Sequence, residues 1–200
     1  MSNIDFEIYQ EFKKYGSYLR EHELISSHGG NISLKRGNYI YIKRTGAMLG
    51  DLKPNDVIRT NLYQEDSKIL LASKELPVHR NILLNTGALA VIHAHPTYAI
   101  ILSMLYDEIF PIDNEGLYII KRIPVLELDV PTASDESATK VPKLLQNYKV
   151  MIIRGHGTFA HGTSLEEAYM WTTVAESVCK ILYLAKQIGI DIEKERQKKW

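Results

Sequence analysis

The sequence has little that would tie it to an oxidising compartment, a nucleic acid or a membrane. Its single cysteine, Cys179, can form neither an internal disulfide nor a thiolate zinc cluster. Neither sign of charge is in excess: 24 Lys+Arg against 24 Asp+Glu leave a formal net charge of +0. There is thus no global basic field to hold nucleic acid or an anionic membrane. No window approaches the run of about 18 apolar residues that a membrane span requires. The opening residues, Met1 to Glu23, mix charges of both signs, unlike a secretory signal. There is no G-x-G-x-x-G, no G-x-x-x-x-G-K-[ST] and no G-x-S-x-G, so dinucleotide, P-loop and serine-hydrolase readings have no motif behind them. The expectation is a soluble, cytoplasmic protein with no nucleic-acid or membrane partner.

What is present suits one globular domain. Two hundred residues, 45% hydrophobic and 24% charged, can bury a core but leave no room for two full domains. Asp5 to Leu24 places Phe6, Tyr9, Phe12, Gly16 and Leu19 at helical intervals, with Asp5 as cap. Asn31–Leu34 and Tyr39–Lys43 form a hairpin through Arg36-Gly37-Asn38, and Lys53-Pro54-Asn55-Asp56 marks a further turn. Glu75 to Thr86 is a helix with Gly87 as its C-cap. Ala90–His95, Ile123–Leu128 and Lys149–Arg154 are strands, Thr97–Tyr106 is a helix, and another helix opens near Ser134.

The last long helix starts with an S-x-x-E capping box at Ser164, buries Leu165, Ala168, Thr172, Ala175, Cys179, Leu182 and Lys186, and stops at Gly189. Cys179 is plain core on that face. The predicted fold is α/β: a mixed or mainly antiparallel sheet with helices on both faces, residues 1–190, followed by a loose polar tail, 191–200.

The densest chemical signal is Val91-Ile92-His93-Ala94-His95-Pro96. Residues two apart on a strand share a face at about 6.6 Å, so both imidazoles can address one ion. Two polar residues on a solvent-facing edge strand would look the same, although the apolar neighbours read as buried. A third histidine, His156, stands between Gly155 and Gly157 after another apolar strand, where it is either a ligand at a strand end or a tight-turn residue. Three histidines with an open position suit a catalytic zinc, because the cysteines that usually close a structural site are missing.

Glu75 begins the helix before the His93 strand. It is either a favourable first-turn carboxylate or, beside a metal, a general base. The loops at Gly29-Gly30-Asn31, Thr45-Gly46 and Ser73-Lys74 have the N–H groups, hydroxyls and ammonium of a phosphate pocket, a composition that ordinary turns share. His22, His28, His79 and His161 carry no assignment.

Taken in order, Gly30-Asn31-Ile32-Ser33, Thr45-Gly46, Ser73-Lys74-Glu75, His93-Ala94-His95-Pro96 and Arg154-Gly155-His156-Gly157 resemble the class II aldolase/adducin family over about Leu19 to Ile188. The resemblance implies the family's three-layer fold and one Zn2+ per subunit on His93, His95 and His156. It implies Glu75 as acid/base and as a further ligand when no substrate is bound. It also implies a phosphate pocket from Gly30, Asn31, Thr45, Gly46, Ser73 and Lys74, and a homotetramer with active sites at subunit interfaces. The implied reaction is cleavage of a short ketose 1-phosphate to dihydroxyacetone phosphate and an aldehyde.

On the same fold, a methylthioribulose-1-phosphate dehydratase, a decarboxylase or a pentulose-phosphate 4-epimerase are alternatives, the last generally having Asp where this chain has Glu75. A non-catalytic adducin-like scaffold would not need the histidines. The chain departs from the family pattern at His28 and Lys74. It has no in-register match for a catalytic tyrosine after Phe110-Pro111, where Tyr118 is nearest. Near the C-terminus only Trp200 is aromatic.

Overall fold

A computed structural model describes residues 3–196. Along the chain run α1 (Asn3–Glu21), β1 (Asn31–Arg36), β2 (Tyr39–Lys43), β3 (Val57–Asn61), α2 (Leu76–Asn85), β4 (Ala90–Ala94), α3 (Thr97–Ser103) and β5 (Glu108–Ile109). They are followed by α4 (Asn114–Ile119), β6 (Ile123–Leu126), α5 (Asp135–Leu145), β7 (Val150–Ile153), β8 (Gly157–Gly162), α6 (Leu165–Gln187) and α7 (Ile192–Arg196). The strands form one eight-stranded sheet in the order β3-β2-β1-β4-β8-β7-β6-β5. Every pairing is antiparallel except β6 with β7. The predicted mixed, mainly antiparallel sheet with helices on both faces is what forms.

Strand alternation explains the two faces. On β4, Ala90, Ile92 and Ala94 join the core under α1 and the start of α6, while Val91 joins the core under α2 and α5. On β7, Met151 and Ile153 face α2 and α5, while Val150 and Ile152 face α3 and α6. A sheet covered on both faces reads as a continuous apolar run, which is why β4 and β7 stand out in the sequence. His93 projects to the α2 side, two residues after Val91.

Several local expectations are corrected. Asp5 lies inside α1 and accepts the Tyr41 hydroxyl at 2.8 Å instead of capping the helix. Phe6 is half exposed, and Ile8 and Tyr15 fill the core instead. α2 ends on Thr86, whose extended backbone and hydroxyl bond to Ile82 stop the helix, so Gly87 is not the cap. Ser164 does cap α6, but the Glu167 carboxylate turns to the N–H and hydroxyl of Thr163, leaving the box half made. Ala185, not Lys186, continues the buried face of α6. The tail is not wholly loose: α7 docks through buried Ile192, while Trp200 lies outside the described residues. Gly189, at φ +78°, ends α6 as expected.

Candidate active site

His93 occupies the middle of the sheet, its backbone paired with Asn31 on β1 and Phe159 on β8. Its ring stacks on Phe159 with centroids 4.2 Å apart. Nδ1 lies 2.9 Å from the carbonyl oxygen of Thr158. A carbonyl only accepts, so Nδ1 carries the proton and Nε2 keeps a free lone pair. That lone pair faces His95 Nε2 at 2.9 Å and Glu75 Oε2 at 3.4 Å.

His95 stands one residue beyond β4, not on it, held by its N–H donating to Leu24 at 2.8 Å. His156 is delivered by the Arg154-Gly155-His156 turn between β7 and β8, where Gly155 takes φ +67°, a conformation glycine adopts without strain. The same turn is anchored by Arg154, which pairs with Asp107 and Glu127. Gly157 is required by close packing: a Cβ there would sit 2.3 Å from the carbonyl oxygen of Ala94. As a result, one ligand nitrogen from each of His93, His95 and His156 lies within 4.8 Å of the others.

Electrostatics favours neutral imidazoles. Burial pushes His93 well below the usual histidine range, helped by the neighbouring His95 and His156, and burial takes His95 to about 4. Burial also lowers His156, opposed by the Pro131 backbone. The contact of His93 with Glu75 is therefore a neutral ring beside a carboxyl, not an ion pair. Glu75 is 5% exposed. Burial raises its carboxyl from 4.5 to about 7, against the Asn31 amide and the Ala133 backbone, which favour the ionised form.

Three neutral nitrogens, a buried carboxylate and no thiolate form a donor set that fits a divalent transition metal. The Thr158 carbonyl supplies the outer hydrogen bond that orients a metal-binding imidazole.

The loops converge on the same place. Gly30, Asn31, Thr45, Gly46, Ser73 and Lys74 all line the cleft, of about 200 Å³, that contains Glu75, His93, His95 and His156. Gly30 has φ +70°, and a Cβ there would meet the His93 carbonyl at 2.8 Å. Ser73 Oγ accepts the Glu75 N–H at 3.3 Å, which fixes the start of α2. The Asn31 amide donates to Glu75 Oε2 at 3.3 Å, so it serves the carboxylate as well as lining the pocket. Lys74 is exposed at the rim. Larger hollows exist, one of about 430 Å³ beside Asp5, Tyr41 and Arg59. It contains none of the convergent histidines, and the chemistry, not the size, marks the site.

His28, Lys43 and Thr132 also line the cleft. Lys43 is 4% exposed, and its ammonium donates to the carbonyls of His28 and Ala47, each at 2.9 Å, tying the two glycine loops together. Burial lowers its pKa. The signal available in the sequence was a lysine ending an apolar strand immediately before Arg44-Thr45-Gly46. Thr132 comes from the β6–α5 loop and had no such signal. Tyr118 is 86% exposed on α4 and is not among the residues lining the cleft.

A profile of the Class II Aldolase and Adducin N-terminal domain matches residues 10–183. The chain belongs to this class II aldolase and adducin family. Among class II aldolases it is 30% identical over 179 residues to an L-fuculose phosphate aldolase of Methanococcus maripaludis, covering 89% of this chain and 97% of that protein. The crystal structure of L-fuculose-1-phosphate aldolase from Thermus thermophilus matches with a TM-score of 0.85 at 33% identity, over 90% of this chain and 94% of that one. A methylthioribulose-1-phosphate dehydratase of Gallus gallus is 26% identical over 195 residues, covering 85% of this chain and 80% of that protein.

Proposed function

We propose that this class II aldolase, a lyase, cleaves a short ketose 1-phosphate of the fuculose 1-phosphate kind to dihydroxyacetone phosphate and an aldehyde. The observation that carries the reading is the convergence of three neutral imidazoles and one buried carboxylate in a cleft rimmed by glycine and hydroxyl loops. His93, His95 and His156 would hold one Zn2+ per subunit, with Glu75 as a further ligand before substrate enters. When bound, the cation supplies Lewis acidity toward the ketone and its neighbouring hydroxyl.

The protein's own groups do the rest. N–H groups around Gly30 and Gly46, the hydroxyls of Thr45 and Ser73, the Asn31 side chain and the Lys74 ammonium bind the phosphate. Glu75, buried with its carboxylate 3.4 Å from His93, exchanges a proton with the carbon from which the aldehyde departs. Such general acid/base work is worth about 10²–10⁴ in rate.

Homology to L-fuculose phosphate aldolases across nearly the whole chain supports the substrate class. A homotetramer with sites at subunit interfaces, and a cytoplasmic setting, complete the proposal. Among the described residues no helix is long and apolar enough to cross a membrane. The dehydratase relatives make water loss the second reading.

The test is metal analysis of the purified protein together with product identification from fuculose 1-phosphate. About one zinc per subunit and release of dihydroxyacetone phosphate are expected, and His93→Ala should lose both. Full activity in metal-free protein, or a dehydrated product with no carbon–carbon cleavage, would overturn it.

A further inference from the structure

We propose that His79 is a positioning residue for Glu75, acting through its buried hydrogen bond to Ser33. The inference rests on the proton-carrying role given to Glu75 above. Both side chains are fully buried, with His79 Nδ1 2.7 Å from Ser33 Oγ.

The geometry is a two-rung attachment of helix to strand. Asn31 and Ser33 are two residues apart on β1, on the same face and about 6.6 Å apart. Glu75 and His79 are four apart at the start of α2, about 6 Å along the axis. The spacings match, so each strand residue reaches one helix residue: Asn31 Nδ2 donates to Glu75 Oε2 at 3.3 Å, and Ser33 meets His79. The His79 backbone N–H also donates to the Glu75 carbonyl at 3.1 Å, which closes the turn between the rungs.

His79 further sets the distance between base and metal ligand. Its ring packs edge-on against Phe159, centroids 5.8 Å apart, and Phe159 in turn stacks on His93 at 4.2 Å. Yet His79 Nε2 is buried with no hydrogen-bond partner. For stability alone, an apolar pair in place of His79 and Ser33 would fill this space without stranding a nitrogen or a hydroxyl. A histidine whose one bonded nitrogen fastens the catalytic turn is accounted for by position, not by stability.

The test compares His79→Leu, His79→Asn and Ser33→Ala with wild type and Glu75→Gln. It reads metal content, melting temperature, kcat and KM for fuculose 1-phosphate, and solvent-deuterium exchange into dihydroxyacetone phosphate. His79→Leu, which strands the Ser33 hydroxyl, should melt modestly lower than wild type but keep its metal and its KM within about twofold, while kcat and exchange fall by about tenfold or more. His79→Asn, whose amide takes the place of Nδ1, should recover much of the lost kcat.

Folded His79→Leu and Ser33→Ala proteins with wild-type kcat would overturn the inference, as would metal loss in proportion to kcat. If His79→Leu does not fold, Ser33→Ala decides, since it removes the same bond with little volume. Wild-type exchange in Glu75→Gln would sink the base assignment and this inference with it. Exchange lost only in Glu75→Gln would sink this inference alone.

Discussion

Replacing Glu75 by Gln should make the metal-free protein more stable, and only above a definite pH. The carboxyl is 5% exposed and accepts a hydrogen bond from Asn31. Burial raises its pKa from 4.5 to about 7. A carboxyl whose folded pKa lies above its unfolded value binds more protons folded than unfolded between those limits. Its stabilising contribution is therefore complete below 4.5 and is lost as the pH rises through about 7.

At about 1.4 kcal/mol per pH unit, keeping Glu75 ionised costs the fold at most about 3 kcal/mol at about pH 8. Glutamine has the same shape, can still accept from Asn31 and has no charge to desolvate. The gap between variant and wild type should grow from near zero at about pH 4.5 to about 3 kcal/mol at about pH 8. The buried histidines titrate in both proteins and cancel in the difference.

Urea unfolding of chelator-treated protein across this range measures the gap directly. Adding zinc should reverse its sign, because the carboxylate then faces a cation. Turnover should fall by about 10²–10⁴ in the variant at every pH where wild type is active. A gap independent of pH, or a metal-free wild type that is the more stable protein at about pH 8, would refute the reasoning.

Lys74→Ala should raise KM for the sugar phosphate and flatten its dependence on salt while leaving metal content unchanged. Identical kinetics to wild type across a salt series would show that the exposed ammonium faces solvent only. Gly157→Ala should reduce metal binding and lower the melting temperature, since the added Cβ would stand 2.3 Å from the Ala94 carbonyl and 2.8 Å from His95 Cδ2. Normal metal occupancy in that variant would mean the β4–β8 contact is more compliant than its spacing implies.

Much of the fold is legible in the order of residues alone. The apolar runs of β4 and β7 are legible because both faces of the sheet are covered, and α6 is legible from its apolar stripe, with Ser164 and Gly189 marking its ends. The motif residues are legible because glycine, histidine and glutamate are uncommon in such runs without a reason. β8 is not legible as a strand, since Gly157-Thr158-Phe159-Ala160-His161-Gly162, glycine at both ends, is neither a continuous apolar run nor an alternating one. Nor is α7, a five-residue helix with one buried side chain, Ile192, and so no apolar stripe to read.

The arrangement of the candidate site depends on contacts between segments distant in sequence. His93 and His156 meet because β8 lies between β4 and β7 in the sheet, a pairing that no local period encodes. The proton on His93 Nδ1 follows from a carbonyl 65 residues away in sequence, at Thr158. The raised pKa of Glu75, the clamp formed by Lys43 and the rung between Ser33 and His79 follow from burial and from partners distant in sequence. Periodicity reports which side of an element faces inward, whereas reactivity depends on what else is brought to that side.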